Sequence, residues 1–264
     1  MLEILKKNQV SRRFLMAAEK ALALVVRGSD WSETSRITTL FTREVGKIRA
    51  LAKGGRRLRS SFDAAFDLLS VIHVVYLRSR SHGLDLLTEA RLEERFPALR
   101  TNLKALYVGY YIAELLSEGT QDYDPHPELF DLALESLRNL GGAADLRAVA
   151  AHFELVWLQE LGYGPRLEAC AGCGSEVNEA MLSPFATYSA ALGGVLCSAC
   201  AVSARDPRRL GVSAWRTLRQ LSREMPGELQ DFGPVWQDLR PLLGQLVSQV
   251  LGKRPRMLAY VDAA

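Results

Sequence analysis

Two sets of residues in this 264-residue chain have types and spacings that could do chemistry. The first is cysteine. All four cysteines fall in CAGC (170–173) and CSAC (197–200), a C-x2-C-x23-C-x2-C spacing. A tetrahedral metal site needs four thiolates, and each CxxC knuckle delivers two at once. Gly172, Gly174, Gly193 and Gly194 allow the tight backbone such knuckles require. The spacer is slightly longer than the common ribbon spacing. The rivals are two disulfides or a dithiol redox pair. No secretory signal is evident, which disfavours disulfides. A redox CxxC sits at a helix start after a strand, and two of them would be unusual. The spacing therefore predicts one structural zinc per chain on Cys170, Cys173, Cys197 and Cys200. Four thiolates leave no open position, so the expected role is to fold a loop too small and polar to hold itself.

The second set is cationic. Residues 46–61 read GKIRALAKGGRRLRSS, with Lys47, Arg49, Lys53, Arg56, Arg57 and Arg59 and no carboxylate. Alternation puts Ile48, Ala50 and Ala52 on one strand face and Lys47, Arg49, Leu51 and Lys53 on the other. Gly54 and Gly55 permit a turn that leads into the arginines, and Arg36 and Arg43 could join them. Cations in such a row replace the counterions condensed on a polyanion. Two other readings compete. A solvated hairpin edge blunted by charge needs fewer cations. A lone phosphate loop lacks the G-x-x-x-x-G-K-[ST] pattern. A nucleic-acid groove would add stacking aromatics, for which Phe41, Phe62 and Tyr76 are candidates, with Phe41 equally placed to be core.

The charge distribution agrees with a polyanion partner. Residues 1–82 hold 16 Lys/Arg and 7 Asp/Glu (+9), and the remainder holds 17 and 23 (−6), which gives the net +3. The composition, 48% hydrophobic and 24% charged, is that of a globular chain. No apolar run approaches the roughly 20 residues that span a bilayer. Lys6, Lys7, Arg12 and Arg13 loosely resemble a signal n-region, but Glu19 and Lys20 interrupt the apolar stretch. Residues 1–18 read as a basic extension, with an organellar transit peptide as the alternative.

The elements that must position these residues are of two textures. Strand-length runs occur at 21–26, 36–42, 47–53, 68–77 and 83–92, with turns at 28–33 and 43–46. Five strands in some 70 residues predict a small barrel, such as the oligonucleotide-binding (OB) fold. After Pro97 the period becomes helical. Leu103, Leu106, Tyr107, Tyr110 and Ala113 mark one helix, residues 127–140 a second and Leu146 to Trp157 a third. Two more are expected near 214–223 and 235–251, the last kinked or split by Pro241. The predicted class is α+β multidomain. A basic extension (1–18) precedes an OB-fold-like DNA-binding barrel (19–95). A helical domain (96–264) follows, with the zinc module inserted at about 168–202.

The order of parts resembles the RecO family of DNA repair proteins. WSETSRITTLFTREVGKIRALAKGGRR (31–57) resembles that family's barrel segment, and LQELGYGPRLEACAGCG (158–174) the run into its zinc module. GGVLCSAC (193–200) and LGKRPRMLAY (251–260) resemble the closing knuckle and the C-terminal basic segment. The resemblance implies a cytoplasmic, nucleoid-associated recombination mediator without enzymatic turnover. It implies binding of single- and double-stranded DNA, annealing of complementary strands, and work with RecR to load recombinase. It also implies contact with the C-terminal tail of the single-stranded-DNA-binding protein. That tail is acidic with an apolar end, and Lys253, Arg254 and Arg256 beside Leu251 and Met257 could rim a groove for it. A solvated helix end explains the same cations equally.

Two other classes stay open at this level: a nucleic-acid-processing enzyme and an RNA-binding adaptor, each with a structural zinc site. Against an enzyme, there is no G-x-S-x-G, H-E-x-x-H or glycine-rich dinucleotide motif. His73, His82, His126 and His152 lie in separate predicted elements, and Glu89, Glu93 and Glu94 read as a solvated surface.

Overall fold

The computed structural model describes residues 18–54, 62, 66–79, 83–182, 184–224 and 232–262. The barrel strands are β1 (Ala18–Asp30), β2 (Arg36–Thr42), β3 (Gly46–Ala52), β4 (Val71–Leu77) and β5 (Asp85–Glu94). They close in the order β1-β2-β3-β5-β4, antiparallel except for β3–β5. The inner face is filled by Val25, Leu40, Ile48, Ala50, Ala52, Ile72, Val74, Tyr76 and Leu87. The alternation expected for β3 is present. Ile48, Ala50 and Ala52 are buried while Arg49 is exposed and Lys47 and Leu51 are half-buried.

β1 is longer than the apolar run 21–26 suggested. Gly28, Ser29 and Asp30 look like turn residues, yet they pair with Thr38, Ile37 and Arg36 of β2. A bulge between Val25 and Arg27 resets the alternation, and the turn is compressed into residues 31–35.

The helical region carries α1 (Leu103–Gly119), α2 (Pro127–Asn139) and α3 (Leu146–Glu160). Asn102 caps α1 by accepting from the N–H groups of Lys104 and Ala105, and Asp145 caps α3 through Arg147 N–H. The insert follows: β6 (Phe185–Ser189), β7 (Gly194–Leu196), α4 (Ser198–Ala201) and β8 (Pro207–Gly211), with sheet order β7-β6-β8. Then come α5 (Val212–Leu221), α6 (Phe232–Leu251) and α7 (Leu258–Asp262). Of the kink or split expected at Pro241, the split does not occur: α6 runs helical through it. Core packing of Leu239, Leu242, Leu243 and Leu246 and the anchoring of Arg240 hold both halves against the core. Arg240 is buried and donates to Glu154, which is wholly buried and also accepts from Tyr111 Oη at 2.5 Å. This triad ties α1, α3 and α6 together, and Asp262 reaches the Arg240 guanidinium from α7 at 3.3 Å. Burial and the adjoining Glu154 carboxylate hold the Tyr111 phenol well above its ordinary pKa.

The barrel is docked on this region by its outer surface. Leu24, Val26 and Phe41 belong to the helical core, and Phe41 stacks on Phe130 of α2 with centroids 6.3 Å apart. A second contact seals the barrel wall. β3 pairs with β5 only over Ala50–Ala52, and in its first half residues 122–123 take over. Tyr123 N–H donates to Lys47 O at 2.9 Å, and Tyr123 Oη donates to Asp85 at 2.5 Å. Gly46 is required at this junction. It has φ +74°, and a Cβ there would lie 1.9 Å from the carbonyl oxygen of Asp124.

Candidate nucleic-acid interface and metal centre

The cations of the predicted strand face separate into distinct roles. Lys47 is turned into the protein. Its Nζ donates to the carbonyls of Ser117 and Thr120 at 2.8 and 2.6 Å, and Asp122 lies at 3.5 Å. These carbonyls close the C-terminal end of α1, where an ammonium is favoured by the helix dipole. Lys47 is thus a strut between barrel and helices, its ammonium engaged by main-chain carbonyls. Arg49 remains half-exposed beside Asp122 at 3.3 Å. Arg36 stands at the barrel end, 3.9 Å from Asp30. Arg43 makes a two-pronged pair with Asp131 of α2, which holds that carboxylate below its usual range. Lys53 is exposed where β3 ends. Arg56, Arg57 and Arg59 lie outside the described residues.

The stacking candidates do not stand in a groove. Phe41 and Tyr76 are wholly buried and Phe62 nearly so, packed on Phe66 with centroids 5.4 Å apart. Tyr76 spends its hydroxyl on Glu19 at 2.7 Å, and burial, then that bond, raises its pKa. Each sits at a position that alternation assigns to a buried face or a packed joint. The exposed aromatic of the barrel is Trp31, in the β1–β2 turn. Its only signal in the sequence is its isolation among polar turn residues, GSDWSE.

The four cysteines converge. β7 leads into the second knuckle, and the first follows the stretch after α3. Their Sγ atoms all lie within 4.8 Å of one another, the group among the described residues with the donors to hold a metal ion. Cys173 and Cys197 Sγ are 3.8 Å apart. That equals the edge of a tetrahedron with metal–sulfur bonds of about 2.3 Å, roughly 3.8 Å. Gly172 leaves room for this: a Cβ there would lie 3.0 Å from Cys200 Sγ. Burial opposes ionisation of Cys170, but the N–H groups of Cys197, Cys173 and Gly172 outweigh it and bring the thiol down to about 6. Hydrogen bonds with the thiols of Cys197, Cys170 and Cys173 push Cys200 up to about 12. A thiol drawn toward ionisation and a close-packed donor set fit a bound metal ion.

The C-terminal cations are partly engaged. Lys253 pairs with Glu118 at 2.7 Å and Arg254 with Asp262 at 2.8 Å, while Arg256 is exposed and its backbone N–H is capped by Glu114. They border α7 (Leu258–Asp262). Near them, between the cysteine module and α6, Gly162, Tyr163, Arg166, Leu192, Leu246 and Val250 line a cleft of 610 Å³. The described histidines form no common site. His73 faces Glu93, His126 lies near Asp124 and Glu160, and His152 bonds Leu221 O through Nδ1 at 2.6 Å. No described helix is long and apolar enough to cross a membrane.

The barrel and the cysteine-bearing helical region coincide with two family models. "Recombination protein O N terminal" matches residues 16–96, and "Recombination protein O C terminal" matches residues 100–259. A DNA repair protein RecO of Rhodopirellula baltica is 33% identical over 91% of this chain and 97% of its own length. Another, from Anaeromyxobacter dehalogenans, is 35% identical over 92% of this chain and 95% of its own. A third, from Desulfitobacterium hafniense, is 36% identical over 81% of this chain and 76% of its own. With both halves matched in order and a barrel, a helical region and a four-cysteine cluster in the same chain, this protein belongs to the RecO family of DNA repair proteins.

Proposed function

We infer that the chain is a non-enzymatic recombination mediator. It binds single- and double-stranded DNA, anneals complementary strands and helps load recombinase in partnership with RecR. One observation carries the DNA contact. β3 carries Arg49 exposed on its outer face and leads into exposed Lys53, and the chain continues from there into Arg56, Arg57 and Arg59. Annealing requires two anionic strands side by side, and cations in a row replace the counterions that would otherwise keep them apart. Arg36, opposite Ala52 and so on the other side of the sheet, adds to the field from the barrel end, and Lys47 contributes from its buried position. The acidic tail of the single-stranded-DNA-binding protein is a partner suited to exposed Arg256 with Lys253 and Arg254. The metal held by Cys170, Cys173, Cys197 and Cys200 is zinc, one per chain, supplying folding energy to the insert.

The test is binding of single-stranded oligonucleotides across a salt series. Log affinity should fall linearly with log salt, by about 0.7 per phosphate contact. Arg56→Glu, Arg57→Glu and Arg59→Glu together should weaken binding on every sequence and flatten that slope. Affinity indifferent to salt contradicts the reading.

A further inference from the structure

The end of the barrel away from the helices presents a surface that the cations alone do not explain. Register and alternation define it. Arg27 of β1 lies opposite Thr39 of β2, and Thr39 opposite Arg49 of β3. One step on, Ser29 lies opposite Ile37, and Ile37 opposite Leu51. These residues share the face opposite the barrel interior, since their neighbours Leu40, Ala50 and Ala52 fill the inner core. The bulge between Val25 and Arg27 is what brings Arg27 and Ser29 onto this face. Just beyond the strand ends come Trp31, whose N–H is bonded to Ser35 O, and exposed Lys53. The row of Arg27 and the row of Trp31 are four residues apart, about 13 Å along the strand.

Phe41 and Lys47, at the other end of the same face, are covered by α1, α2 and residues 117–123. The uncovered end therefore has its own composition. Ile37 and Leu51 form a half-buried apolar floor, and Arg27, Arg49 and Lys53 are exposed around it. Asp122 on its border is held by Lys47 and Arg49. Glu33 in the turn is the acidic residue between Asp30 and Arg36. Trp31 is 66% exposed, whereas Trp157, Trp215 and Trp236 are buried. The turn that carries it is ordered. Trp31 N–H and Ser32 N–H both donate to Ser35 O, and Ser35 N–H donates to Ser32 Oγ. An indole left in water on an ordered hairpin, beside an apolar floor ringed by cations, matches what an unpaired nucleic-acid strand needs. Its bases seek a flat apolar partner and its phosphates seek charge.

We propose that Trp31 is a base-stacking residue for single-stranded DNA, on a platform completed by Ile37 and Leu51 and bordered by Arg27, Arg49 and Lys53. This rests on the reading of the protein as a DNA binder and assigns the chemistry of that contact. Stacking needs an open π-face and no particular base, so the contact is indifferent to sequence. In a duplex the bases are already stacked on each other. Trp31 therefore discriminates single from double strands, while the cations grip both.

Intrinsic fluorescence tests this directly, because the other three tryptophans are buried. Titrating the full chain with oligo-dT should quench the solvent-exposed emission, and Trp31→Ala should abolish that quenching. In an anisotropy assay with labelled oligo-dT, Trp31→Ala should lower affinity roughly tenfold and Trp31→Phe should retain most of it. The salt slope should stay unchanged in both, and so should affinity for a blunt duplex. A wild-type protein that binds oligo-dT with the expected salt slope, without quenching and with Trp31→Ala binding equally well, overturns the stacking role and leaves the DNA-binding reading intact. Equal loss on single strand and duplex also overturns it, since that marks a structural effect. A wild-type protein that binds neither overturns both.

Discussion

Lys47 and Arg49 are two residues apart on one strand face, yet the fold uses them differently. Lys47 Nζ is only 12% exposed as a side chain and is shared between two main-chain carbonyls. Lys47→Met should therefore cost stability, about 1.5–3 kcal/mol for charged hydrogen bonds lost from a nearly buried site, readable in urea unfolding. It should alter the salt slope of DNA binding much less than Lys53→Met. Glu154 and Arg240 illustrate the buried case. Removing one partner strands a charge, so Arg240→Met should destabilise by about 3–5 kcal/mol, and adding Glu154→Gln should restore part of the loss. His152 gives a pH signature. Burial, opposed by its bond to Leu221 O, lowers its pKa below the ordinary 6.5. The folded state thus binds fewer protons than the unfolded state. Its contribution to stability is complete above pH about 6.5 and is lost as pH falls from there through the lowered folded value. A His152→Gln variant should show a shallower fall of the unfolding midpoint on acidification.

At the scale of elements, the sequence was legible where one periodicity ruled. β2 coincides with RITTLFT because four of its seven residues are β-branched, and β3 follows from the alternation of Ile48, Ala50 and Ala52. α2 starts at Pro127 as its fixed φ requires. Legibility failed where tertiary contacts overrode local preference. Gly28, Ser29 and Asp30 are poor strand formers, held in β1 by pairing with β2. Pro241 should break a helix, but the core on both sides keeps α6 in one piece. No pattern within residues 43–53 announces that residues 122–123 complete the barrel wall, since the partner is some 70 positions away. For the site, the cysteine cluster was fully readable because two knuckles carry their own geometry. The stacking residue was not, because Phe41 and Tyr76 alternate like core residues and Trp31 lies in a turn that periodicity does not describe. Gly46→Ala would force a positive-φ side chain against Asp124 and should cost at least about 2 kcal/mol, loosening barrel from helices. Limited proteolysis should then release a helical fragment earlier than in the wild type.

Across the whole molecule, charge and architecture divide the work. The first 82 residues carry +9 and the remainder −6, and the excess lies in residues 1–17 (+3) and 46–61 (+6), so a polyanion is drawn to the front of the chain and repelled from the rear. The same asymmetry leaves the helical region to hold the barrel in place through Arg43–Asp131, Lys47 and the Phe41–Phe130 stack. The cysteine module sits apart from the barrel, packed with α5 and α6. Metal removal should therefore unfold the insert first. Cys197→Ser should reduce bound zinc from about one per chain to near zero and expose residues 168–211 to protease, while oligonucleotide binding by the barrel persists. The central claim is that the cationic barrel brings complementary strands together. Its most direct test is the rate at which labelled complementary strands, each coated with single-stranded-DNA-binding protein, anneal when this protein is added. The rate should rise with added protein, and the Arg56→Glu, Arg57→Glu, Arg59→Glu variant should lose most of that rise. No acceleration by the wild type, or equal acceleration by the variant, would contradict the account.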